Sequence, residues 1–198
     1  VEEFRDEDVG LVLKSNIAKN CLMDRIRLKD DLTVFLNQLG EKRCKVYLLH
    51  GDMTDEEMHS LYQNPQINAL LALPHGEGFG LPIFEAAYSG LPVISVGWSG
   101  QLDFLIDENG KEQFYNVAFD IQPVPPEVVW DGVIIKESMW SYAREGSAKE
   151  QMRACYTDIT ENGSSRFSND LTERFAAETM YKKFIDAIIE EEEDVALE

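Results

Sequence analysis

The chain has 198 residues, a formal net charge of −19 at pH 7 and 44% hydrophobic residues. The length suffices for one hydrophobic core, and the acidity argues against nucleic acid as a partner, since neutralising phosphates takes clustered Lys and Arg. Three cysteines, Cys21, Cys44 and Cys155, lack CxxC spacing, which argues for reduced thiols in a cytoplasmic compartment and against a disulfide scaffold or zinc site.

Residues 1–8 are charged and helix-compatible, and 9–14 (VGLVLK) read as a buried strand. Leu28, Leu32, Phe35, Leu36 and Leu39 recur at helical spacing and predict a helix over 24–39, stopped by Gly40. Residues 45–50 are the next strand. Thr54 and Glu57 form a capping box opening a helix with Met58, Leu61 and Tyr62 as its apolar stripe.

Residues 68–73 return as a strand, followed by a glycine-rich loop over 75–80 and a short helix opening at Leu81 and Pro82. Gly90 and Pro92 stop that helix, and a second strand starts at Leu91. Both strands flanking the loop read as buried on both faces of a parallel sheet. Beyond Gly97 the pattern predicts a short helix over 100–106, a strand over 116–121 and an irregular connection with three prolines over 123–130.

Helices are predicted over 147–160 and 169–190, the second with a stripe of Phe175, Met180, Phe184, Ile185 and Ile188. The acidic tail over 190–198 reads as solvated. Alternating strands and helices predict an α/β domain, a doubly wound, mostly parallel Rossmann-like sheet spanning 1–198. Its core is expected over 9–125 and its C-terminal helices over 138–190.

The loop carries the chemistry. A helix N-terminus presents unpaired N–H groups and partial positive charge, and glycines let backbone approach an anion closely. A dinucleotide fingerprint does not fit, because Leu81 stands at the third glycine's position, and a Gly-Lys-Ser/Thr phosphate loop is absent. His50 and His59 have no second ligand at metal spacing, so no metal site is expected. Asp6-Glu7-Asp8 reads as a solvated terminus. Glu85, read as a first-turn residue, also has a purely structural reading, because the helix dipole favours a carboxylate there.

Gly76-Glu77-Gly78-Phe79-Gly80-Leu81-Pro82, then Glu85-Ala86-Ala87, then Gly90-Leu91-Pro92-Val93-Ile94, resembles the signature of retaining glycosyltransferases of the GT-B fold, in their C-terminal nucleotide-sugar-binding domain. Glu77 and Glu85 match that family's E-x7-E pair. The resemblance implies that Glu85 holds the ribose and that Glu77, the catalytic candidate, contacts hydroxyls of the transferred sugar. Gly78, Phe79 and Gly80 would lie near sugar and diphosphate, with His75, Gly76 and Leu81 completing the site. The donor would be a nucleoside diphosphate sugar, with no separate cofactor and an unspecified acceptor. Trp130, Trp140, Tyr142, Met152 and Arg153 resemble the segment leading into that family's C-terminal helices, where core packing is their default role.

Residues 46–110 contain no Lys or Arg, so the proposed diphosphate site has no cation of its own. In the resembled family that charge comes largely from the first strand and helix. The sequence opens in what resembles the end of that first helix, so the first strand and the N-terminal acceptor domain are expected to be missing. Any membrane association would run through that missing domain. Lys14, at a strand's carboxyl end, is the remaining candidate for a phosphate or ribose contact. A missing central strand would leave sheet edges that invite pairing with a second copy. Alternatives to a transferase donor domain are a nucleotide-sugar-binding or interaction module without turnover, and a GT-B epimerase or phosphorylase.

Overall fold

The structure, a computed structural model, describes residues 1–167 and 170–190. It divides into two compact units, Val1–Met58 and His59–Glu198.

In the first unit a 3-10 turn, Glu2–Phe4, precedes strand β1, Gly10–Ser15; helix α1, Leu22–Gln38, leads to β2, Lys45–His50. The strands pair in parallel from Gly10 opposite Lys45 to Ser15 opposite His50. Parallel neighbours need a long crossover, and α1 supplies it. Its stripe is only partly covered: Leu28, Leu32, Leu36 and Leu39 are half-buried, whereas Phe35 is exposed. Gly40, with φ +69°, follows the helix in the left-handed conformation that ends it. β1, expected to be buried, is half-buried along its middle.

Helix α2, Asp55–Tyr62, starts at the expected capping box. The Thr54 N–H donates to Glu57 Oε2 at 2.8 Å and the Glu57 N–H to Thr54 Oγ1 at 3.2 Å.

The second unit is built on three parallel strands in the order β3 (Leu70–Ala72), β4 (Val93–Val96), β5 (Tyr115–Val117). Helix α3, Leu81–Tyr88, joins β3 to β4, and the single turn α4, Leu102–Leu105, follows β4. β4 is buried throughout. Val93 packs with Ile83, Ala87, Phe104 and Leu105, while Ile94 and Val96 pack with Tyr115, Val117 and the Ala148 and Cys155 of α5, Glu145–Asn162. Successive strand side chains point to opposite faces, so helices cover both faces of β4. This is a mixed α/β fold of Rossmann-like kind. β3 departs from the expected full burial, with Leu71 and Leu73 exposed.

The expected strand over 116–121 is two strands. At Ala118 the N–H donates to Ser147 Oγ at 2.9 Å and the carbonyl accepts the Arg144 N–H at 2.8 Å, both from the start of α5. These bonds end β5. The chain continues as β6, Phe119–Pro123, antiparallel to β7, Met139–Ala143, a strand lying where the C-terminal helices were expected to begin. A 3-10 turn, Pro126–Val128, lies between them.

Helix α5 ends at Gly163, with φ +76°. The helix expected over 169–190 is broken into α6, Leu171–Arg174, and α7, Ala177–Glu190. At the break Phe175 packs edge-on against Phe84, with centroids 5.1 Å apart. The Arg174 guanidinium donates to the carbonyls of Asp103, Phe104 and Ile106 at 3.2, 3.2 and 3.0 Å, capping α4. The predicted stripe of α7 is not buried: Phe184, Ile185 and Ile188 are exposed. Asn169 and the acidic tail from 191 onward lie outside the described residues. No helix among the described residues is long and apolar enough to cross a membrane.

Candidate functional site

The loop over 75–80 leaves the carboxyl end of β3 and enters α3. Gly80, the residue before the helix, has φ +89°, a left-handed conformation that costs any side-chain-bearing residue strain. Pro82 occupies the first turn, where it lacks an N–H to offer. The N–H groups of Ile83 and Phe84 both donate to the Gly80 carbonyl at 2.9 Å. The Phe79 ring packs against Phe84 and Phe104, at 5.4 and 5.1 Å between centroids, so it belongs to the core and its N–H is what it can offer a ligand.

The segment after β4 braces the loop. Ser99, itself left-handed with φ +77°, donates its Oγ–H to the Glu77 carbonyl at 2.6 Å and accepts the Glu77 N–H at 3.1 Å. The Gly100 N–H donates to the same carbonyl at 3.1 Å. A Cβ on Gly100 would lie 1.9 Å from the Gly78 carbonyl oxygen, so only glycine fits. Neither residue was foreseen, although a Ser-Gly pair just after a buried strand is the kind of signal that marks close backbone approach.

A backbone N–H without a protein acceptor must turn to solvent or a ligand, and several along this loop are of that kind. The Glu77 N–H goes to Ser99, but the N–H groups of Gly76, Gly78, Phe79, Gly80 and Leu81 donate to no acceptor among the described residues. The first turn of α3 contains no acidic residue that could take them. Five donors within six consecutive residues are left for solvent or a ligand.

Both glutamates lie on this element. Glu77 is half-buried, and its backbone is held on both sides by Ser99. Glu85 is exposed and is the fifth residue of α3, beyond the first turn, which removes the helix-dipole explanation for it. Neither carboxylate has a hydrogen-bond or ion-pair partner among the described residues. Burial, aided by the nearby Glu85 charge, pushes the Tyr62 phenol up.

His75 ties the loop to β7. Its Nδ1–H donates to the Ser141 carbonyl at 2.7 Å, and its ring stacks on Trp140. His75, Gly76, Glu77, Gly78, Phe79, Gly80, Leu81 and Glu85 thus share one loop and helix of the second unit. Lys14 belongs to the first unit, where its Nζ donates to the Gly51 carbonyl at 2.5 Å. No lysine or arginine hydrogen-bonds or ion-pairs with residues 75–85 among the described residues. Among the described residues no group of three or more His, Cys, Asp or Glu is arranged to hold a metal ion.

No protein-family model matches the chain, and no curated protein matches it. Among solved structures it is similar to a chain of the "Crystal structure of GtfA/B complex", with a TM-score of 0.51 and 16% identity. The match covers 94% of this chain and 36% of that one, so this chain spans about a third of the neighbour's length. At that identity the likeness is one of fold, and the shared fold is GT-B-like.

Proposed function

We propose that the chain is the donor-binding domain of a retaining glycosyltransferase, taking a nucleoside diphosphate sugar at the loop over 75–81. The observation that carries the reading is the set of five backbone N–H groups, on Gly76, Gly78, Phe79, Gly80 and Leu81, without a protein acceptor. The fold likeness to a chain of a glycosyltransferase complex supports it.

In this reading the free amides hydrogen-bond the diphosphate. As the bond between the anomeric carbon and the leaving oxygen breaks, negative charge grows on the diphosphate. Fixed donors then stabilise the transition state more than the ground state. Glu77, its backbone held by Ser99, accepts hydroxyls of the transferred sugar. Glu85 accepts the two ribose hydroxyls, a task suited to a carboxylate with two acceptor oxygens.

Calorimetric titration with UDP, GDP and dTDP and their sugars, on wild type and Glu85→Ala, tests the reading. Glu85→Ala should weaken binding by at least tenfold, since a hydrogen bond to a charged group is worth about 1.5–3 kcal/mol. Equal binding by both proteins removes Glu85 from the site. A second reading, a nucleotide-sugar-binding module without turnover, is favoured by the absence of any lysine or arginine bonded to the loop among the described residues. Binding without sugar release in a donor-hydrolysis assay would select it.

A further inference from the structure

The one imidazole at the loop is held more tightly than a merely loop-closing residue requires. The Ser141 N–H donates to the His75 carbonyl at 2.9 Å, and Ser141 Oγ reaches the Pro74 and His75 carbonyls at 3.0 and 3.2 Å. The His75 ring lies parallel to the Trp140 indole, 4.7 Å between centroids and 2° between planes, with Tyr142 tilted against it at 4.7 Å. All three partners are consecutive residues of β7.

The bond to Ser141 also sets the proton. A carbonyl only accepts, so Nδ1 must carry the hydrogen, and in the neutral ring Nε2 is a bare acceptor. The residue is exposed, and Nε2 has no partner among the described residues. The free backbone groups of the loop are donors, and its other side-chain acceptor is the Glu77 carboxylate. Beside five free amides stands one oriented acceptor, fixed by stacking and a hydrogen bond before any ligand arrives, as a preorganised recognition group requires.

We propose that His75 Nε2 accepts a hydroxyl of the donor's sugar, and that Trp140 is a positioning residue that keeps the ring in plane for it. A bare Nε2 lone pair suits a hydroxyl donor and repels phosphate oxygen, so the contact belongs to the sugar and not to the diphosphate. This rests on the nucleotide-sugar reading of the loop.

The test compares UDP with UDP-glucose, and GDP with GDP-mannose, by calorimetry at pH 8. His75→Asn places an amide N–H where Nδ1 was, retaining the bond to Ser141 while deleting Nε2. It should leave nucleoside diphosphate affinity within twofold and weaken the sugar nucleotide five- to tenfold. Trp140→Leu should give a smaller loss of the same kind. Equal weakening of both ligands would assign His75 to the phosphate, and no change in either would remove it from the site; each overturns the proposal. Absence of wild-type binding to every ligand would instead overturn the nucleotide-sugar reading itself and, with it, this proposal. Imidazole 15N shifts of the wild-type protein supply a readout free of folding artefacts: they should show the Nδ1–H tautomer, and an Nε2–H tautomer would refute the acceptor role.

Discussion

Two loops in this molecule make the same journey, from the carboxyl end of a parallel strand into a helix, and end it differently. In the first unit the turn after β1 delivers the N–H groups of Ile17 and Ala18 to the Asp24 carboxylate, at 2.8 and 3.0 Å, and His50 Nε2 meets the same oxygen at 2.9 Å. The anion is built into the first turn of α1. In the second unit the loop before α3 has no acidic residue in the first turn, and five of its amides stay open. Helix starts attract negative charge. In the first loop the approaching amides meet a carboxylate from the chain itself; in the second they are left for solvent or a ligand.

The largest expected effect comes from closing the open loop's geometry. Gly100→Ala must displace the Gly78 carbonyl, found 1.9 Å from the added Cβ. A backbone clash of this kind should cost on the order of 3 kcal/mol in denaturant unfolding and abolish diphosphate binding. Retention of wild-type affinity would show that the brace does not shape the site.

Breaking the Asp24 contacts of the first loop should show in its pH dependence. The N–H of Ala18 first, then His50 and the N–H of Ile17, hold the Asp24 carboxyl down at about 2, below its ordinary 3.8. A depressed carboxylate contributes stability that is present above 3.8 and lost as pH falls through about 2, because the unfolded chain takes up the proton first. Asp24→Asn should therefore lower Tm at neutral pH and flatten its fall between pH 4 and 2. Parallel Tm curves for the two proteins would contradict the assignment.

Copying the first start onto the second gives a milder test. Leu81 is exposed at the first position of α3. Leu81→Asp should keep or raise stability in urea unfolding, by the few tenths to about 1 kcal/mol that a carboxylate gains near a helix N-terminus. It should weaken diphosphate binding about tenfold in calorimetry. Unchanged affinity would mean that the open amides are not the anion site. Gly80→Ala tests the turn itself: φ +89° should cost about 1–2 kcal/mol of stability in urea unfolding and leave the nucleotide's stoichiometry intact.

How much of this was legible beforehand follows the range of each interaction. The Thr54–Glu57 box, the Gly40 stop and the glycine loop rest on residues within a few positions of one another, and they stand as read. The strand β7 was missed, because Met139–Ala143 becomes a strand only through β6 and through Ser141, which bonds His75 across 66 positions. The Ser99 brace acts across 22 positions. The stripe of α7 shows the reverse failure: its helical period was right, yet period alone does not say that a partner covers it, and Phe184 stands 68% exposed. The first-turn place expected for Glu85 fails on counting alone, since the helix starts at Leu81 as read and Glu85 is its fifth residue.

Residue order alone thus specifies where this backbone turns, caps and offers glycines, because those preferences are local and steric. Which amides remain open, which imidazole nitrogen is bare and which glycine admits no Cβ were decided by the fold. Each depends on an acceptor, a stacked ring or a carbonyl supplied from a distant part of the chain.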